Sequence, residues 1–285
     1  MPPPSDPFCF PVQAATQAIV LDTLYLAVLL LAVGLPAYAL VRHFQPLLQW
    51  ERRGNVWTSP FLGTDILAVA LLAFAARSMI VAGAVPGTPR TYTAGSILLS
   101  SILFLMVAGC LVAMMAYRRA SLMELFGLDR IAPWPLVWKA ALICAVSVAV
   151  TSTAGHLMDA FVHHAAWRDE GNQDLVRLLR QSPDAGLRLA IVITACVFQP
   201  VAEEIIFRGY VYAAVKRFTE RYFAACISAL LFATLHHHAL ALVPIFLFGL
   251  ILAAAYEWSG SLWLPIAVHA FFNTTTVIGQ LVLPS

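Results

Sequence analysis

The sequence predicts an all-α, polytopic transmembrane bundle of about eight spanning helices, and three observations carry that prediction. Of 285 residues, 61% are hydrophobic and only 11% charged, far from the charged quarter of an ordinary soluble domain, and the mean hydropathy is +0.81. The apolar residues also gather into runs near the ~20 residues that a spanning helix needs. These runs cover 19 to 41, 61 to 82, 94 to 117, 139 to 161, 187 to 215, 222 to 241, 243 to 258 and 262 to 282. Finally, the few ionisable side chains inside the runs are clustered, which is where a membrane protein keeps its chemistry.

Taken in order, the stretch from Met1 to Pro7 lacks the basic region of a secretory signal, so the run from 19 to 41 is expected to remain as a helix. Pro133-Trp134-Pro135 and Trp138 suit an interfacial start to the fourth span, because indole rings favour the headgroup zone. The connector from about Val162 to Gly186 contains Leu175-Val176-Arg177-Leu178-Leu179-Arg180, which reads equally as a short helix at the bilayer surface or as a solvated loop. The seventh run is short and contains Pro244, so a tilted or re-entrant element is an alternative there and seven spans is the fallback.

An outside N-terminus leaves ten basic residues on the cytoplasmic side, from Arg42 to Arg221, against five opposite, so the positive-inside rule favours that orientation. The net charge of +2 supplies no basic field for nucleic acid. Five cysteines without a CxxC pair, four of them within apolar runs, read as small buried apolar residues rather than as a disulfide framework or thiolate site. The chain divides into N-terminal helices and connectors over 1–186 and a region bearing the chemistry over 187–285.

That region opens with Glu203-Glu204-Ile205-Ile206-Phe207-Arg208 inside an apolar run. On a helix Glu204 and Arg208 share a face, so the guanidinium neutralises and orients that carboxylate, while Glu203 points about 100° away. Glu203 is therefore the candidate base, and the bland alternative is a buried charge cluster that locks helices together. The sixth run carries Phe232-Ala233-Thr234-Leu235-His236-His237-His238, and counting from Tyr222 places His236 near mid-bilayer. Three successive histidines point in different directions and cannot ligate one ion without unwinding. In the eighth run His269 and Asn273 lie one turn apart and can donate to one developing negative charge, although such pairs also serve as polar glue between membrane helices. A carboxylate, an imidazole and a His/Asn donor pair are the parts needed to add water to an amide carbonyl.

The three motifs, Glu203-Glu204-x-x-x-Arg208, Phe232-x-x-x-His236 and His269-x-x-x-Asn273, resemble those of the CAAX protease and bacteriocin-processing (CPBP, or Abi) intramembrane proteases. The resemblance covers about the last hundred residues. It implies an eight-helix bundle with a polar cavity, Glu203 and His236 as the water-activating pair, Glu204 with Arg208 as a supporting ion pair, and His269 with Asn273 as oxyanion stabilisers. The implied activity is an intramembrane endopeptidase of glutamic type, acting on a peptide or protein substrate, lipidated or not, in a bacterial plasma membrane. No cofactor is implied, zinc being the lesser alternative by ligand type. The competing readings are a membrane scaffold or immunity factor that binds a peptide without cleaving it, and a proton-coupled transporter.

Overall fold

The computed structural model describes residues 54–83, 92–164, 174–236 and 241–282. Among the described residues the regular elements are all helices: α1 (Gly63–Gly83), α2 (Ala94–Tyr117), α3 (Leu122–Phe126), α4 (Pro133–His164), α5 (Asp174–Gln181), α6 (Ala185–Phe218), α7 (Arg221–Thr234), α8 (Leu242–Ser259) and α9 (Trp263–Val282). The chain forms two compact units, one of 1–50 with 68–90 and a larger one of 51–67 with 91–285. All three motifs belong to the larger unit.

Among the described residues four helices, α2, α4, α6 and α8, are long and apolar enough to cross a membrane. The chain is a helical membrane protein, and this number does not confirm the eight spans expected. The run at 19 to 41 lies outside the described residues, and α9 matches the eighth run over 20 residues. The sixth run gives a shorter helix than expected. It stops at Thr234, where the His236 amide turns back to the Ala233 carbonyl at 3.2 Å and the His236 ring takes the Phe232 carbonyl at 2.9 Å. His236 therefore lies beyond the helix, on its exposed end.

Polarity in the larger unit is distributed as lipid demands. Leu99, Leu103 and Met106 on α2 and Leu142 and Leu157 on α4 face outward, whereas Asp65, Glu204 and Arg208 are fully buried. In hydrocarbon the ionic groups belong inside the bundle.

Local chemistry fixes the ends of the helices. Thr93 and Ser96 form a reciprocal capping box at the start of α2, with bonds of 3.1 and 3.0 Å. Asp184 caps α6 through the amides of Gly186 and Leu187. The connector sequence around Leu178 is helical, as α5, and its Leu179 is buried with Ile97, Leu187, Ala190 and Ile191 against α2 and α6. That apolar anchor decides for helix over loop. Gly127, at φ +58°, closes α3 against the backbone of Gly260, at φ +64°. A Cβ on Gly127 would come within 1.8 Å of the Gly260 carbonyl oxygen, so only glycine fits.

Candidate active site

Helix α6 changes winding four times. Ala185–Ile193 is α-helical, Thr194–Phe198 π-helical, Gln199–Glu204 α-helical, Ile205–Tyr212 π-helical and Ala213–Phe218 α-helical. The first wide turn has an identifiable cause in Pro200, which brings no N–H and crowds the preceding carbonyls. Within that turn the Gln199 amide bonds to the Thr194 carbonyl, five residues back. By the same spacing the Ala195 carbonyl would pair with residue 200, which has no proton to give. Asn273 on α9 supplies it, donating from Nδ2 to the Ala195 oxygen at 2.7 Å. Ser101 on α2 holds the same turn from another side, donating to Thr194 Oγ1 at 3.0 Å. Wide turns of this kind recur at functional positions in helices.

The first motif leaves that turn with its charges pointing inward. Glu204 Oε1 accepts from Arg208 Nη1 at 3.0 Å and from His269 Nδ1 at 2.8 Å. The expected pairing of Glu204 with Arg208 is thus present in the structure. The guanidinium also donates from Nη2 to the Gly249 carbonyl at 3.0 Å and lies over the Phe232 ring, 4.5 Å from its centroid. Gly249 has to be glycine because a Cβ there would lie 2.9 Å from the Ala229 Cβ. An isolated buried cation would be very costly, and these partners are what make Arg208 tolerable.

Glu203 points elsewhere, as its position one residue earlier requires. The residue is 6% exposed, and its Oε2 is buried without a hydrogen-bond partner, 3.7 Å from His269 Nε2. The imidazole of His269 therefore lies between the two glutamates. It is wedged edge-on between Phe232 and Phe248, with centroid separations of 5.7 and 5.3 Å.

Glu203, Glu204, Arg208 and His269 form one cluster. Asn273 stands a turn further along α9, with one of its two amide protons on Ala195 and the second uncommitted by that bond. His236 is separated from the cluster by one aromatic ring. It packs on Phe232 at 4.8 Å, a ring that also contacts Arg208 and His269. His237 and His238 lie outside the described residues. Among the described residues no group of three or more His, Cys, Asp or Glu side chains is arranged to hold a metal ion.

Sequence reasoning passed over several groups that build the site. Pro200 carried a readable signal, a proline three residues before the glutamates inside an apolar run. Gly249 and the hydroxyl of Ser228, which donates to the Phe207 carbonyl at 2.8 Å, carried none. Two further part-buried ion pairs brace the same helix. Arg118 binds Asp65 at 2.7 Å, with the Tyr210 hydroxyl also donating to Asp65 at 2.6 Å. Lys216 binds Glu257 at 2.7 Å, and Tyr212 donates to the same carboxylate.

Residues 185–275 match the family model of the type II CAAX prenyl endopeptidase Rce1-like proteins, which agrees with the resemblance read from the three motifs. Two curated relatives are similar over about a third of the chain. YdiL of Bacillus subtilis (strain 168), whose name places it with the membrane peptidases, is 33% identical over 91 residues, which are 32% of this chain and 37% of the relative. The membrane-embedded CAAX protease MroQ of Staphylococcus aureus (strain USA300) is 34% identical over 95 residues, 31% of this chain and 38% of the relative. The chain thus matches under two fifths of the length of either. No solved structure matches it.

Proposed function

We propose that this chain is an integral-membrane endopeptidase that hydrolyses a peptide bond at or near the bilayer by glutamate-assisted attack of water. The observation that carries the reading is a carboxylate, Glu203, buried in an apolar bundle with one unpartnered oxygen 3.7 Å from an imidazole. Family similarity supports the reaction class. Glu203 takes the proton from water with His236 as its imidazole partner, Glu204 and Arg208 hold the frame, and His269 and Asn273 stabilise the oxyanion. Peptide hydrolysis without catalysis is so slow that base, donors and exclusion of bulk water all have to contribute.

The substrate is a peptide or a protein segment presented from the bilayer, with or without a lipid on it. The proposed mechanism needs no cofactor. A bacterial plasma membrane is the proposed location, in keeping with the bacterial relatives.

Co-expression of wild type and Glu203→Gln, followed by mass spectrometry of membrane peptides, tests the assignment. New peptide termini are expected with wild type and should be lost with the variant. A Glu203→Gln protein that is normally folded and still produces those termini would refute the assigned base.

A further inference from the structure

The last turn of α8 and the first turns of α4 meet at one corner of the larger unit, in residues that take no part in the motif cluster. Lys139 stands on α4 (Pro133–His164), about 9 Å from the helix start at 1.5 Å per residue. Side chains on a helix tilt toward its N-terminus, so the long stem carries its ammonium back to that end. The Nζ lies 4.8 Å from the ring centroid of Trp258, next to the last residue of α8, and 5.7 Å from that of Trp138. Trp134 shares a face of α4 with Trp138. The three indoles turn outward, Trp134 being 75%, Trp138 47% and Trp258 58% exposed. Arg130 brings a second cation to the same corner. Its Nη1 donates to the Asn55 carbonyl, and Asn55 Nδ2 donates to the Trp258 carbonyl at 2.8 Å. Among the described residues no carboxylate pairs with either cation. Glu257, the neighbour of Trp258, is taken by Lys216 and Tyr212, and Asp129 is exposed.

We propose that this corner holds the headgroup of an anionic phospholipid, its phosphate received by Lys139 and Arg130 and its glycerol and upper chains lying against the indoles. The ammonium offers a point charge, and the guanidinium offers the N–H groups that Asn55 leaves free. Two exposed cations without a counter-charge attract anionic lipid at a bilayer surface, and the surrounding indoles mark headgroup depth. In the orientation expected from the sequence, the corner meets the cytoplasmic leaflet, where anionic lipids supply the negative surface potential. The apolar neighbours select a lipid over a soluble anion. Val137 and Leu142 extend the outward face of α4 beside the tryptophans, and acyl chains cover what inorganic phosphate would leave bare. One lipid then bridges the start of α4 and the end of α8. The proposal is independent of the hydrolase reading, since none of these residues touches Glu203, Glu204 or Arg208.

The test has two arms, both on the full chain. Native mass spectrometry from detergent micelles uses phosphatidylglycerol as the probe and phosphatidylcholine as the neutral control. A saturable phosphatidylglycerol adduct is expected, preferred over phosphatidylcholine and weakened by salt. Lys139→Gln and Arg130→Gln should each weaken it about fivefold, and the two together roughly twenty-five-fold. Lys139→Arg should retain it. Arg217→Gln removes an exposed arginine at the end of α6, outside the corner, and should leave the adduct unchanged. Equal affinity for the two lipids, displacement by inorganic phosphate, or a loss with Arg217→Gln as large as with Lys139→Gln overturns the proposal. The second arm places wild type in nanodiscs with lipids brominated on the upper acyl chain. Brominated phosphatidylglycerol should quench tryptophan fluorescence more than brominated phosphatidylcholine, and Lys139→Gln should remove the excess. Equal quenching by the two lipids in wild type overturns the proposal even if a variant fails to fold.

Discussion

Replacing Asn273 by Ala removes the Nδ2 donor on the Ala195 carbonyl, which Pro200 cannot serve from the backbone. A buried acceptor left without a donor loses about 1–3 kcal/mol; the Ala195–Asn273 bond is part-buried, so Asn273→Ala should destabilise the bundle by about 1–2 kcal/mol. Pro200→Ala restores an amide proton at the missing position. Whether the segment keeps its wide turn or relaxes to a regular helix, the Ala195 oxygen then has a backbone partner. The same Asn273→Ala change made in that background should cost only a few tenths of a kcal/mol, which gives a coupling of about 1–2 kcal/mol in a double-mutant cycle. Equilibrium unfolding in mixed detergent micelles, followed by circular dichroism, measures all four corners. Additivity to within about 0.3–0.5 kcal/mol would show that asparagine and proline do not share this carbonyl and would refute the reasoning.

Three further expectations rest on other contacts. Gly249→Ala drives a Cβ to 2.9 Å from Ala229 and displaces the carbonyl that binds Arg208, so a loss of about 1–3 kcal/mol is expected in the same unfolding assay; an unchanged transition would contradict the packing. Lys216→Met strands Glu257 beside Tyr212 and should cost about 3–5 kcal/mol, while Lys216→Met with Glu257→Met should cost less than the single change. A double variant as unstable as the single would show that the ion pair is not the relevant interaction. Treatment with 1,10-phenanthroline or EDTA should leave peptide cleavage intact, and reversible loss restored by a divalent metal would overturn the cofactor-free mechanism.

The runs of apolar residues exposed the helices because hydrocarbon imposes one length and one composition on every span. The limits of α2 coincide with the run from 94 to 117, and those of α8 lie within a residue of the run from 243 to 258. The Glu204–Arg208 pair was legible too, since four-residue spacing is a local property of a helix. What joins different helices was not. The bond from His269 to Glu204 spans 65 positions, and that from Arg208 to Gly249 spans 41; no periodicity encodes such separations. The sixth helix ended early for a related reason. Hydropathy continues through Leu235, but the His236 side chain competes for the Phe232 carbonyl and the backbone tightens instead of extending. Nothing local to Asp65 or Lys216 names a partner, and only the assembled bundle reveals that each is buried against an opposite charge distant in the chain.

The Phe232 ring touches one member of each motif: Arg208 at 4.5 Å, His236 at 4.8 Å and His269 at 5.7 Å. A single fluorine on that ring would therefore be a reporter shared by all three. Its ¹⁹F resonance would register arrival of a peptide at His236 and rearrangement around Arg208 in one spectrum, without any label on the reacting groups themselves.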